Sequence, residues 1–174
     1  MLLLLNLLNL LLVLLLEITD MSYTNQTVFD AALMHLRIQG VASVSYPIAE
    51  SLSSRRCLYR DPEGNACAVG CLIPASLYDP KMEGIRAGKL GLSQLFAGVP
   101  PELLNSLQDA HDMKMPEVKD GDMSEWEKHM AGIADYWRLR YTPPGVCDPT
   151  AINVEVAALL EKVKADRNKI AACV

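Results

Sequence analysis

Three of the chain's five cysteines fall within residues 57–71, in the stretch "CLYRDPEGNACAVGCLIP". Thiol catalysis needs a thiolate, a base and a group that orients the base. Cys71 or Cys67 is the candidate nucleophile, and His111 of "LQDAHD" is the candidate base. Asp112 or Asp109 is the third member. The spacing C-x9-C-x3-C also raises a metal site. Tetrahedral zinc takes four ligands, and its short knuckles use cysteines two to four residues apart. Cys67 and Cys71 make such a pair, with Cys57 and His111 to complete the set. A third reading needs no chemistry. Cys67 and Cys71 sit in an otherwise apolar run, and a thiol packs like a small hydrophobe. That reading is preferred: neutral thiols among aliphatic neighbours, with no metal and no cofactor. A Cys57–Cys67 disulfide across a hairpin is sterically open, but a reducing cytosol would keep both as thiols.

Charged residues around the cysteines suggest a second site. Arg60, Glu83 and His111 are candidates for binding a small molecule or nucleotide, since arginine forks suit phosphate. Arg55, Arg56 and Arg60 form the one local basic cluster, with Arg86 and Lys89 further on. The loop acids Asp61, Glu63, Asp79 and Glu83 read first as solvated turn formers. No phosphate loop, dinucleotide fingerprint, H-E-x-x-H or G-x-S-x-G is present. "RAGKLG" holds Gly-Lys without the preceding glycine spacing or the following Ser or Thr.

Composition narrows the partners. The 174 residues suffice for one domain with a proper core. Lys and Arg total 16 against 21 Asp and Glu, a net charge of −5. With no strong cationic cluster, general nucleic-acid binding is excluded as an expectation. Two Phe and two Trp are too few for a stacking platform along a single strand.

Residues 1–20 belong to another composition class. "MLLLLNLLNLLLVLLL" is leucine broken by Asn6, Asn9 and Val13. As a helix it reaches about 24 Å, short of a hydrocarbon core of about 30 Å. It lacks the basic start and small-residue end of a signal peptide. Translation starting at Met21 is the favoured reading, and a membrane anchor through residues 1–16 is the alternative.

From Met21 the chain reads as mostly helical. "NQTVFDAALMHLRIQG" has Asn25 as N-cap, Gly40 as stop, and a stripe of Val28, Ala32, Leu33, Leu36 and Ile38. His35 is expected to be half-buried and hydrogen-bonded. "VASVSYP" is extended before its proline. "RRCLYR" is β-prone and "DPEGN" is a turn. "ACAVGCLI" is assigned to a short helix that places Cys67 and Cys71 on one face. Pro80, Gly84, Gly88 and Gly91 break the next stretch into loops. Pro101 opens a helix at its first position. Ser124 and Glu127 make a capping box for another helix, with Trp126, Met130, Ile133 (or Ala134) and Trp137 on its buried face. Asp148 and Pro149 open a last amphipathic helix that either packs on the domain or associates with another chain.

"HLRIQG", "CLYRDPEGNACAVGCLIP", "YDPKMEG", "LQDAHD" and "IADYW" occur in this order. The set resembles a family of small uncharacterised proteins encoded by tailed bacteriophages and prophages, from about residue 27 to residue 141. A weaker similarity, covering "CAVG" and the helix near "HD", is to an actinobacterial family of unknown function. The resemblance implies a phage or prophage source and a host bacterial cytoplasm. It implies no activity.

The expected fold is mainly α with a small β-hairpin or extended insert, in a single compact helical domain. Residues 1–20 form a hydrophobic leader, 21–145 the globular domain and 146–174 a C-terminal amphipathic helix. The expected function is that of an accessory protein which binds a host protein or itself, without catalysis. The alternatives are small-molecule or nucleotide binding or hydrolysis at a Cys/His/Arg site, and an inner-membrane accessory protein anchored by residues 1–16.

Overall fold

The computed structural model describes residues 23–45, 56–114, 122–144, 156–158 and 160–161. The architecture is mainly α with a small β element. Helix α1 (Asn25–Gln39), α2 (Pro101–Lys114) and α3 (Ser124–Trp137) carry the core. A two-stranded antiparallel pair, β1 (Val44–Ser45) and β2 (Arg56–Cys57), lies between α1 and α2 in the chain, followed by short 3-10 turns. The leucine-rich stretch 1–16, the start at Met21 and the Asp148–Pro149 helix opening lie outside the described residues. Among the described residues no helix is long and apolar enough to cross a membrane.

α1 begins one residue earlier than its sequence suggests. Thr24, not Asn25, is the N-cap, and its hydroxyl accepts from the Thr27 amide at 3.1 Å. Gly40 ends the helix with φ 68°, where a side chain would meet the following carbonyl. Val28, Ala32, Leu33 and Leu36 are buried as expected. Ile38 is not: it is 71% exposed, and Phe29 and Ala31 complete the stripe instead.

The expected capping box of α3 does not form. Asp122 accepts from the Ser124 amide at 2.9 Å, and Glu127 turns inward to Arg37. A carboxylate within reach of a guanidinium fork gains two charge-assisted bonds, more than one backbone amide supplies. Trp126, Met130, Ile133 and Ala134 form the buried face, and Arg138 ends the helix at φ 55°.

"DPEGN" is a hairpin turn. The Asp61 amide donates to Asn65 O at 3.0 Å and Arg60 bridges Ala66 in antiparallel register. "ACAVGCLI" then makes one helical turn rather than a helix. The Cys71 amide reaches Cys67 O at 3.0 Å, and a 3-10 turn covers Gly70–Leu72 before the chain extends at Ile73. Gly70 is the reason the turn can sit there: a Cβ on it would overlap the Tyr59 carbonyl of the hairpin.

α2 packs on α3 and on the turn Ala87–Lys89, while α1 packs on the turn Gly70–Leu72. Leu103, Leu104, Leu107 and Ala110 of α2 join the same core, as do Val156 and Leu160. The described part of the C-terminal segment therefore contributes to the domain.

Candidate functional site

Antiparallel register decides which side chains share the hairpin's face. Val44 pairs with Cys57, and the Cys67 amide donates to Tyr59 O at 3.0 Å. Cys57 at the end of β2, Tyr59 beyond it and Cys67 after the turn all border one cleft. α2 crosses that face with Gln108, His111 and Asp112, at helical spacing i, i+3 and i+4. Between them opens a cleft of about 130 Å³, lined by Cys57, Tyr59, Cys67, Gln108, Asp112 and Arg86 among others. Ligand pockets run to about 300–1,000 Å³, so this cleft holds an ion or a few atoms rather than a nucleotide.

Of the four candidate metal ligands read from sequence, the fold gathers Cys57 and His111 and adds Asp112. Among the described residues one Cys, one His and one carboxylate converge: Cys57, His111 and Asp112, with a donor atom of each within 4.8 Å of the others. Cys67 and Cys71 stand outside this group. Cys71 is buried, and its thiol donates to Ala68 O at 3.3 Å. Cys67 is buried and accepts from the Gly70 amide at 3.2 Å, and desolvation pushes its thiol pKa strongly upward. Both lie buried in the hydrophobic core. Cys57, Cys67 and Cys71 are thiols, so the Cys57–Cys67 bridge is not formed.

His111 has no exposure at all, and its hydrogen bonds define its chemistry. The Ser43 amide donates to Nε2 at 3.0 Å, so Nε2 carries a lone pair and Nδ1 carries the proton. Nδ1–H then donates to Asp112 Oδ1 at 3.0 Å. In this tautomer no lone pair is left to take a thiol proton. His111 is therefore not arranged as a base toward any cysteine, and Asp112 orients it for a structural bond. Cys57 donates at 3.7 Å to the Asp112 carbonyl, near the end of α2. The candidate triad of Cys71, His111 and Asp112 is not assembled: the Cys71 thiol donates to Ala68 O and His111 Nε2 accepts from the Ser43 amide.

The second candidate site, Arg60, Glu83 and His111, has its members in structural contacts. Glu83 is not a solvated turn former. Its carboxylate accepts from the amides of Tyr59 at 2.9 Å and Arg60 at 3.2 Å, and from the Tyr78 hydroxyl at 2.7 Å. The Arg60 guanidinium lies 4.6 Å from the Tyr78 ring centre and donates to Ile73 O. Together they staple the hairpin to the following loop. Asp61 does behave as a turn former, accepting from the Asn65 amide at 2.8 Å. Arg86 pairs with Asp109 of α2 at 2.6 Å. His35 matches its expected role, with Nε2 at 3.0 Å from Ala66 O and partial burial.

Sequence reasoning named Cys57 and His111 among the candidate metal ligands, but missed Asp112 as their partner there and Tyr59 and Gln108 as neighbours of Cys57. Gln108 bridges the Tyr59 hydroxyl, at 3.2 Å, and the Ala87 amide, at 2.9 Å. The period-two pattern Cys57-x-Tyr59 before a "DPEGN" turn was the available signal. The pairing that brings α2 across it was not.

A wider groove runs between α2 and α3, with a volume of about 440 Å³. Asp109 and Met113 line one wall; His129, Ile133, Tyr136 and Trp137 line the other. Met113 is 59% exposed and Tyr136 80% exposed. Gly132 forms part of its floor, with no atom within 4 Å of where a Cβ would project. No family model, no curated protein and no solved structure matches this chain.

Proposed function

We propose that the protein is a small non-catalytic binding protein that takes up a helical segment of a partner polypeptide along the α2–α3 groove. One observation carries this: the groove is the widest opening described above, with Ile133, Tyr136 and Trp137 at helical spacing on the α3 wall and exposed Met113 facing them from α2. Amphipathic helices dock in such grooves through anchors three or four residues apart. The open space above Gly132 lets a partner backbone approach closely. The charged residues near the cysteines are already committed to structural contacts, which supports binding over catalysis. The resemblance of its motifs to tailed-phage and prophage proteins, read from sequence, is the ground for proposing a host protein in a bacterial cytoplasm as the partner. Self-association is the other source of such a helix.

Sedimentation velocity of the purified chain, together with photo-crosslinking in host lysate from position 129 on the groove, tests the reading. Crosslinks to one host polypeptide, lost in the Met113→Ser/Tyr136→Ala variant, are the expected result. A concentration-dependent dimer lost in the same variant would assign the groove to a second copy. A partner that binds this folded variant as tightly as the parent sinks the proposal.

A further inference from the structure

We propose that Cys57, His111 and Asp112 form a binding site for one thiophilic divalent cation of the zinc class, with its remaining coordination position open to the cleft. The three donors come from two elements held by tertiary contacts, β2 and the end of α2, and their ligand atoms already lie within 4.8 Å of one another. Thiolate, imidazole and carboxylate are the donor types zinc takes, and three protein ligands leave the fourth position open. Cys57 and Asp112 line the cleft, so an ion has an entry path. The cleft's volume of about 130 Å³ suits an ion with one exchangeable ligand.

The hydrogen bonds state what metal entry displaces. The ion takes the place of the proton between His111 Nδ1 and Asp112 Oδ1, now 3.0 Å apart. Cys57 releases its thiol proton to solvent as the sulfur–metal bond forms. The ring proton leaves Nδ1 and one is taken up at Nε2, so the imidazole stays neutral. The Ser43 amide then gives up Nε2 as its acceptor. In the metal-free state the ring is thus held by a bond that the ion must exchange for its own, and metal and proton compete for one position.

Cobalt(II) titration of the full chain tests this. Cys147→Ser and Cys173→Ser are introduced first, and the protein is treated with a chelator. The expected result is one equivalent of cobalt with a sulfur-to-cobalt charge-transfer band, displaced by zinc. Cys57→Ser removes the band. Asp112→Asn keeps it and weakens binding by about 10-fold or more, because a direct ligand loses its charge and losing even an outer-shell partner costs that much. Cys71→Ser, outside the group, changes neither. His111 is left intact because it is buried and structural, and circular dichroism verifies the fold of each variant. X-ray absorption at the cobalt edge of the parent needs no ligand variant and should show a single sulfur neighbour. No charge-transfer band in the parent, a band that survives Cys57→Ser, or a shell of two sulfurs each overturns the proposal.

Discussion

The Ser43 amide donates to His111 Nε2 at 3.0 Å, joining residues 68 apart in the chain. The bond ties the approach to β1 to the last turns of α2, and both partners are fully buried. A buried amide without an acceptor costs about 1–3 kcal/mol, and a truncated buried ring adds a cavity cost. His111→Ala should therefore lose about 3 kcal/mol in urea unfolding. His111→Gln, which can place an oxygen near the old Nε2, should recover part of that. Equal losses in the two variants would mean that ring volume, not the acceptor, is what matters.

Gly70 and Tyr59 set a second test. A Cβ at Gly70 would overlap the Tyr59 carbonyl, which is backbone and cannot swing away. Gly70→Ala should cost about 3 kcal/mol or more, or prevent folding. Gly132→Ala makes the control, because it is helical and its surroundings are open. It should be neutral or gain up to about 1 kcal/mol from helix propensity. Thermal unfolding of both variants decides the matter.

Arg37 and Glu127 carry the strap between α1 and the chain after α3. Arg37 donates to both carboxylate oxygens, at 2.6 and 2.8 Å, and to Thr142 O at 2.8 Å. The Tyr141 hydroxyl donates to the same carboxylate at 2.7 Å. Burial and then that carboxylate push the Tyr141 pKa up to about 12. Arg37→Ala leaves a largely buried carboxylate facing an empty space and should cost about 2 kcal/mol or more. Arg37→Lys should rescue little, because an ammonium cannot form the two-pronged contact. A double-mutant cycle with Glu127→Gln should give a coupling of about 1–3 kcal/mol, and a coupling near zero would refute the strap.

The thiols should differ in reactivity. Cys57 is half-buried on the cleft, whereas Cys67 and Cys71 are buried. With Cys147→Ser and Cys173→Ser in place, brief alkylation at pH 8 should label Cys57 alone. Desolvation raises the Cys67 pKa, so its thiolate is not populated at that pH in the folded protein. Peptide mass mapping reads the outcome; labelling of Cys67 before unfolding would contradict its place in the core.

Much of the fold was legible because it depends on near neighbours. Pro101 at a helix start, Gly40 at a helix stop, the "DPEGN" turn and the leucines of α2 all act within a turn or two of the chain. Where longer contacts competed, local rules failed. Glu127 left its capping box for Arg37, and Ile38 lies outside the stripe that Phe29 completes. Glu83, which reads as a loop acid, is a staple because two hairpin amides point at it.

From the sequence alone came a helical domain with a hairpin insert, and two cysteines, Cys67 and Cys71, belonging to an apolar run. Period, capping and burial preference suffice for that, since each is a property of a short window. Tertiary structure decided that Cys57, rather than its two neighbours, faces Asp112, and that His111 holds an amide rather than a thiol proton. Those outcomes depend on strand register and on how α2 crosses the hairpin. A shift of one residue in pairing would send every side chain of the strand to the opposite face.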